Sequence, residues 1–411
     1  MRLAFDGVDR SVEVPDDPEF LIALRAAAVD WPFASTDKDD EPAAVIRKVG
    51  GRFEILMPEG DTIEGSAVSA ACSTVVDVLR AFVDENPALL CLHAASVELA
   101  GRLVVFPSRF RAGKSTLVAF LASAGHRVFG DDVLSLTEDD QSGVAAGLAP
   151  RLRIPLPANA PIELREFVSK HASAADERYL YLRLPNNLFA RRAATAPLGA
   201  VVLLDRRADG PTQLFRASRA AALQTLIVQN FARSESAEDL LARLHRLMDR
   251  LPRFTLRYND IGDARALLEN AFAAWPPATG DLEEADPSTV ASSSDEDFED
   301  AGPPAIFVPA DVKLKQSRSV RLREVDGAVF LTDAEGFGIH HLNPLGASLW
   351  QLMAEPLRQT EAVEILVGAF PDAERARIVK DVGTLFSALV AEGFAVPSEP
   401  SIDCKGWTSS A

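Results

Sequence analysis

A mixed α/β (or α+β) domain, an acidic tether and a small α+β domain are predicted for this 411-residue chain. Strands and helices alternate up to about residue 275, a polar acidic stretch follows, and three short strands lead into helices at the end. The length leaves room for two or three domains with a sizeable core. A hydrophobic content of 47% is ordinary for a soluble globular protein.

The elements read in order as follows. Residues 43–57, "AAVIRKVGGRFEILM", form a strand pair turning at Gly50-Gly51. Residues 66–85 form a helix, because Val75, Val76, Val78, Leu79 and Phe82 recur at helical spacing. "LLCLHAASVELAGRLVVFPSRF" is a second strand pair turning at Ala100-Gly101, and its second strand delivers the chain into a loop. "AGKSTLVAFLASAG" is a helix closed by Gly125, and "HRVFGDDVLSLTED" is strand, aspartate pair and strand. "PLGAVVLLDR" (197–206) is an apolar strand, "SAEDLLARLHRLMDRL" an amphipathic helix opened by Ser236, and "PRFTLRYND" a strand.

Residues 276–304 hold almost no apolar side chains, and residues 281–300 carry nine Asp or Glu with no Lys or Arg. Such a segment cannot bury enough surface to offset its ordering entropy, so it reads as a self-repelling linker. It accounts for half of the formal net charge of −18. Beyond it, "SRSVRLREVDGAVFLTDAEGFGIHHLNPLGASLWQLM" gives two strands turning at Asp326-Gly327, a third near "GIHHL", and a helix capped by Asn343 with Pro344 in its first turn. "TEAVEILVGAF" is a second helix, capped by Thr360. "DAERARIVKDVGTLFSALVAEGF" is a third, with Ile378, Val382, Leu385, Phe386 and Leu389 along one face.

Several function classes are disfavoured. The negative charge argues against nucleic acid as a partner. No apolar run approaches a membrane span, and the acidic start "MRLAFDGVDRSVEVPDD" lacks the order of a signal peptide. Cys72, Cys91 and Cys404 are too few and too scattered for a disulfide framework or a zinc site, which suits a cytoplasmic location. His340-His341 has no Cys or carboxylate at ligand spacing, so a metal there is not expected.

The chemistry concentrates in "VVFPSRFRAGKSTLVAFL" (104–121). A phosphate-binding loop has the pattern G-x-x-x-x-G-K-[ST]: backbone N–H groups and a helix N-terminus face the phosphates, the Lys reaches the β/γ-phosphates, and the hydroxyl holds Mg²⁺. Gly113, Lys114 and Ser115 fit its second half, while Ser108 stands at the first glycine and Arg111 occupies the loop. The nucleotide-binding set is Ser108, Arg111, Ala112, Gly113, Lys114, Ser115 and Thr116. Asp131 and Asp132 follow one helix and one strand later. In a parallel sheet they lie beside the loop at the carboxyl edge, where one carboxylate accepts a hydroxyl proton and the other organises the metal.

The run "LHAASVELAGRLVVFPSRFRAGKSTLVAFLASAGHRVFGDD" resembles the catalytic core of the HPr serine kinase family, with His93 before the loop, Gly113-Lys114-Ser115-Thr116 in it, and Asp131-Asp132 after it. Weaker similarity in "PRLRIPLP", "YLYLRLP", "PLGAVVLLDR" and "LPRFTLRYND" carries the likeness to about residue 260. The resemblance implies a P-loop kinase core of the HPr kinase and phosphoenolpyruvate carboxykinase type, ATP and Mg²⁺, and an aspartate base supported by His93. The metal set it implies is Ser115 with Asp132. Family loops carry Gly where this chain has Ser108 and Arg111.

The C-terminal order of three strands and three helices resembles the PqqD family of peptide chaperones, or RiPP recognition elements, with "HHLNPLGASLW" its most specific stretch. The resemblance implies a small winged-helix-like α+β domain that binds the leader of a ribosomal precursor peptide by strand addition. The expected division is an N-terminal α+β extension (1–88), a kinase core (89–275), a linker (276–304), a peptide-binding domain (305–397) and a tail (398–411). Three readings stay open. One is a kinase acting on a hydroxyl of a peptide captured by its own C-terminal domain, in company with other peptide-maturation enzymes and as a monomer or homo-oligomer. The others are a catalytically impaired nucleotide-binding peptide chaperone and a kinase for a small hydroxylated metabolite.

Overall fold

The computed structural model describes residues 1–56, 61–107, 112–228, 236–280, 282–285, 308–332, 339–371 and 374–398. Ser108, Arg111, Cys404 and most of the acidic segment lie outside them. The chain divides into two compact units, residues 1–234 with 244–290, and residues 235–243 with 291–411.

The first unit opens with β1 (Arg2–Phe5), β2 (Val12–Glu13), α1 (Pro18–Ala27), β3 (Phe33–Ser35), β4 (Ala44–Val49), β5 (Arg52–Leu56), β6 (Thr62–Gly65) and α2 (Ala67–Glu85). The strands form one six-stranded sheet in the order β3-β1-β2-β4-β5-β6. β4 and β5 pair from Val45↔Leu56 to Val49↔Arg52 around the expected Gly50-Gly51 turn. α1 and α2 pack together over this sheet, burying Phe20, Leu24, Trp31, Phe53, Val78 and Leu79. The same core takes in Cys91, Val133, Ala149 and Tyr181 from the following segment. The N-terminal layer thus shares one core with the segment that follows it.

Next come β7 (Leu90–Leu92), β8 (Ala95–Leu99), β9 (Arg102–Phe106), α3 (Lys114–Ser123), β10 (Arg127–Gly130), β11 (Leu134–Leu136), β12 (Ser142–Val144), β13 (Arg151–Arg153), α4 (Ile162–His171), β14 (Ala172–Ala175), β15 (Tyr179–Leu182), β16 (Thr195–Arg206), β17 (Gln213–Arg216), α5 (Arg219–Val228), α6 (Ala237–Arg250), β18 (Arg253–Tyr258) and α7 (Ile261–Ala271). The main sheet runs β10-β8-β9-β16, with β18 pairing β16 and β17 pairing β18. β9, β16 and β18 are parallel. β8 is antiparallel to both β9 and β10, so β9 and β10 point the same way with β8 between them. The sequence reading had these two strands in a parallel sheet. The sheet is mixed, because the Ala100-Gly101 turn folds β8 directly back onto β9 in a hairpin. Both strands still end at one edge, which is what brings loop and aspartates together.

α3 is apolar on nearly all sides, with Leu117 to Ala122 buried, and a helix of that composition belongs inside a core. It packs on β8 and β10 and against α4 and α7. Gly125, in the left-handed region at φ +99°, closes it, and the His126 N–H returns to the Leu121 carbonyl at 3.2 Å.

The second unit contains β19 (Lys313–Gln316), β20 (Arg321–Val325), β21 (Ala328–Thr332), β22 (Ile339–Leu342), α8 (Pro344–Leu352), β23 (Leu357–Arg358), α9 (Gln359–Ala369), α10 (Arg375–Ala391) and β24 (Ala395–Pro397). As expected, β20 and β21 turn at Asp326-Gly327, and the Asn343 side chain caps α8 by accepting from the Gly346 N–H at 2.7 Å. Two features differ. A second three-stranded sheet, β23-β19-β24, has no place in the three-strand, three-helix scheme, and its strands of two to four residues are too short to show a period. α9 starts at Gln359 rather than after Thr360, since the Glu361 carboxylate accepts the Arg358 N–H at 2.8 Å and fixes the first turn there. Leu314, Val329, Leu331, Trp350, Val382, Phe386 and Phe394 form this unit's core. Among the described residues no helix is long and apolar enough to cross a membrane.

β16 is held under the indole of Trp275, whose N–H donates to the Leu99 carbonyl at 3.0 Å. A Cβ on Gly199 would lie 2.4 Å from an indole carbon. Gly199→Ala is therefore expected to destabilise the protein by about 1–3 kcal/mol through overpacking. The check is a lower urea midpoint at unchanged slope. The penalty should shrink in a Trp275→Phe background, where the two sites are coupled.

Candidate functional site

Gly113, after Ala112, is the N-cap of α3 and lies in the left-handed region, φ +89° and ψ 15°. No side chain caps this helix start, so its first N–H groups suit an anion. Tyr258, at the end of β18 and 2% exposed, donates its hydroxyl to the Ala112 carbonyl at 2.8 Å. A Cβ at position 113 would sit 2.5 Å from that hydroxyl oxygen. Gly113 is thus required twice, for its backbone angle and for the approach of Tyr258. Burial pushes the Tyr258 phenol up to about 12, which keeps it a donor at neutral pH. Arg206, at the end of β16, brings its Cδ to 3.9 Å from the same Cβ position and lines a narrow cleft with Thr116, Asn159, Tyr258 and Asn259.

Lys114 is 8% exposed. Burial pushes its pKa down, while Asp132 and Asp131 pull it back up. Both carboxylates therefore stand within electrostatic reach of the loop lysine, as the sequence reading expected of the edge where the strands end.

The aspartates differ sharply. Asp131 is 3% exposed; its Oδ2 accepts from the Arg151 N–H at 2.9 Å. Its Oδ1 has no partner of hydrogen-bond geometry, although the Ser115 hydroxyl is near enough to favour the anion. Burial and then the Asp132 charge push its pKa up to about 7. The side chain of Asp132 is 44% exposed; its Oδ1 lies 3.3 Å from His93 Nε2 and its Oδ2 4.0 Å from Arg151 Nη2. Burial opposes its charge, but His93, Arg151 and Lys114 outweigh that and hold its pKa below the usual carboxylate range. Arg151 is itself placed over the Tyr179 ring at 4.5 Å.

A pocket of about 170 Å³ opens against the aspartates and His93. Its other walls come from α2 (Cys72, Val75, Val76 and Leu79) and from Phe129, Leu148 and Tyr181. The structure brings together His93, Gly113, Lys114, Ser115, Thr116, Asp131 and Asp132. Ser108 and Arg111 lie outside the described residues. Sequence reasoning missed Arg151, Tyr258 and Arg206. They lie in the weakly similar runs "PRLRIPLP", "LPRFTLRYND" and "PLGAVVLLDR", but nothing local to those runs shows that they face the loop or the aspartates. In the second unit, β22 lies at an edge of the sheet β20-β21-β22, and His340 pairs with Glu392 at 3.3 Å.

Residues 329–395 match the family described as Coenzyme PQQ synthesis protein D (PqqD), so the chain carries a PqqD domain at its C-terminus. Among solved structures, TbiB1 in complex with the TbiA(beta) leader peptide is 22% identical over 22% of this chain and 99% of its own, with a TM-score of 0.19. The Hpr(Ser) kinase/phosphatase from Coxiella burnetii is 13% identical over 44% of this chain and 91% of its own, with a TM-score of 0.21. At these scores neither likeness carries an argument by itself. No curated protein matches the chain.

The raised pKa of Asp131 has a consequence for stability. An acid that holds its proton more tightly when folded contributes fully below its unfolded pKa, near 3.8, and loses that contribution as pH rises toward about 7. Each unit of displacement is worth about 1.4 kcal/mol. Without nucleotide or Mg²⁺, Asp131→Asn should melt above the wild type at pH 8, and the two should converge near pH 4. Equal melting temperatures at pH 8 would mean that the buried charge carries no penalty.

Proposed function

We propose that this chain is an ATP-dependent kinase that phosphorylates a hydroxyl of a precursor peptide captured by its own PqqD domain. The observation that carries the proposal is the meeting, at one sheet edge, of the Gly113-Lys114-Ser115 helix start with the unequal pair Asp131 and Asp132. The PqqD match supports a peptide partner, and among the described residues β22 pairs on one side only, which suits strand addition.

The residues present fit Mg²⁺. Asp131 Oδ1 is a buried carboxylate oxygen without a partner, beside a hydroxyl, and hard oxygen donors are what this ion takes. We place it on Ser115 and Asp131 rather than on Asp132, because Asp131 turns inward under the Arg151 N–H while Asp132 turns outward to His93. When bound, Mg²⁺ neutralises charge on the β- and γ-phosphates. Lys114 and the N–H groups at the start of α3 hold those phosphates in place. Asp132, ionised and accessible, takes the proton of the acceptor hydroxyl, and His93 orients it. The hydroxyl oxygen bonds to the γ-phosphorus as the bond from that phosphorus to the β,γ-bridging oxygen breaks, leaving ADP. A recognition domain joined in the same chain raises the acceptor's local concentration.

Lys114→Ala should remove most of the affinity for Mg²⁺-ATP, measured by calorimetry. Asp132→Asn should lower turnover by about 10²–10⁴-fold with nucleotide binding retained, and His93→Ala should cost less. Wild-type protein that binds no ATP in the presence of Mg²⁺ would end the kinase reading.

The probe for the second half is a short precursor peptide encoded beside this chain. It should bind the full-length protein without nucleotide and bind equally well to Lys114→Ala. Proline at His340 or His341, whichever N–H faces the free edge of β22, should abolish binding, since proline removes that donor. Full activity on the precursor by a protein that no longer binds it at β22 would show that the PqqD domain does not deliver the acceptor, and ATP binding with no activity on the precursor would favour the metabolite-kinase reading.

A further inference from the structure

The pocket beside Asp132 has a composition that the loop chemistry does not explain. At about 170 Å³ it is far smaller than the ~300–1,000 Å³ of a site for a drug-sized ligand. A cavity of about 150 Å³ suffices for benzene, so the space matches one group of about six carbon atoms. One end is polar, formed by His93, Asp131, Asp132 and Arg151. The rest is dominated by apolar side chains, among them Val76, Leu79, Phe129 and Leu148. Besides the Tyr181 phenol and the Cys72 thiol, which interact with each other, this part offers few partners for the several hydroxyl groups of a sugar or polyol, each left unpaired at a cost of about 1–3 kcal/mol.

The wall opposite the aspartates is α2, an element of the N-terminal sheet-and-helix layer. Its exposure pattern fits that role. Val78 is buried in the core away from the pocket, while Cys72, Val75, Val76 and Leu79 line it, Cys72 and Val76 being only half-buried there.

We infer that this pocket is the acceptor subsite and receives one apolar group adjoining the hydroxyl to be phosphorylated, which it sets against Asp132. The acceptor is then a hydroxyl next to a single bulky apolar side chain, and polyol metabolites are excluded. This rests on the kinase reading given above. α2 thereby determines acceptor specificity, although none of its residues lines the narrow cleft beside Gly113.

The test uses the full-length protein with linear alcohols from 1-propanol to 1-octanol, and glycerol as the polyol. Occupancy is read from the rate at which N-ethylmaleimide labels the Cys72 thiol, located by peptide mass spectrometry, and Mg²⁺-ATP binding is measured separately. Protection of Cys72 should strengthen about fourfold per methylene and level off near six carbons, while glycerol protects weakly or not at all. Val76→Phe should move the plateau to shorter alcohols and Leu148→Ala to longer ones, so either variant serves if the other fails to fold. With Mg²⁺-ATP the protecting alcohols should be converted to alkyl phosphates, detected by ³¹P NMR. Absence of chain-length dependence, protection by glycerol equal to that by hexanol, or protection without conversion of any alcohol would overturn the acceptor assignment. If ATP still binds in those cases, the kinase reading stands; if ATP does not bind, the kinase reading falls with it.

Discussion

A carboxylate removed from water must be compensated or neutralised, and the candidate site is organised around one that is nearly so removed. Asp131 is 3% exposed and receives a backbone N–H from Arg151, with the Ser115 hydroxyl and the Lys114 charge nearby, yet one oxygen has no hydrogen-bond partner. That oxygen is why the proposed reading places the hard cation there. Its neighbour Asp132, facing outward, keeps its charge through His93 and Arg151. Two adjacent residues thus acquire different chemistry because the backbone after β10 turns one inward and the other outward.

That placement depends on the sheet. β9 carries the chain to the loop and β10 carries it to the aspartates, and the hairpin strand β8 lies between them with opposite direction. The two carboxyl ends therefore meet at one edge although the sheet is mixed. Tyr258 arrives from β18 and fastens the loop through the Ala112 carbonyl, which in turn demands glycine at position 113. The N-terminal layer shares its core with Val133, Ala149 and Tyr181 around the site. Its helix α2 could not be removed without opening the pocket beside Asp132.

In the second unit the physics is that of a sheet edge. β22 pairs with β21 on one side. Backbone donors and acceptors on the other side suit an added strand. The sheet β23-β19-β24 draws the two ends of the unit together, since β24 comes from the end of the domain and β19 from its beginning.

Much of this was legible from local pattern. Helical spacing marked α2 and α10, the turns at Gly50-Gly51, Ala100-Gly101 and Asp326-Gly327 set three hairpins, and the run from His93 to Asp132 held side chains that the structure brings together at the candidate site. These features depend on neighbours in sequence, so a single chain displays them. The second small sheet, the start of α9 and the pairing of β8 with β10 depended on contacts that segments of two to five residues do not announce. Which aspartate is buried, and that Arg151, Tyr258, Arg206 and the face of α2 meet at the site, was decided by tertiary structure alone. Burial and convergence are properties of elements far apart in sequence, and no local spacing encodes them.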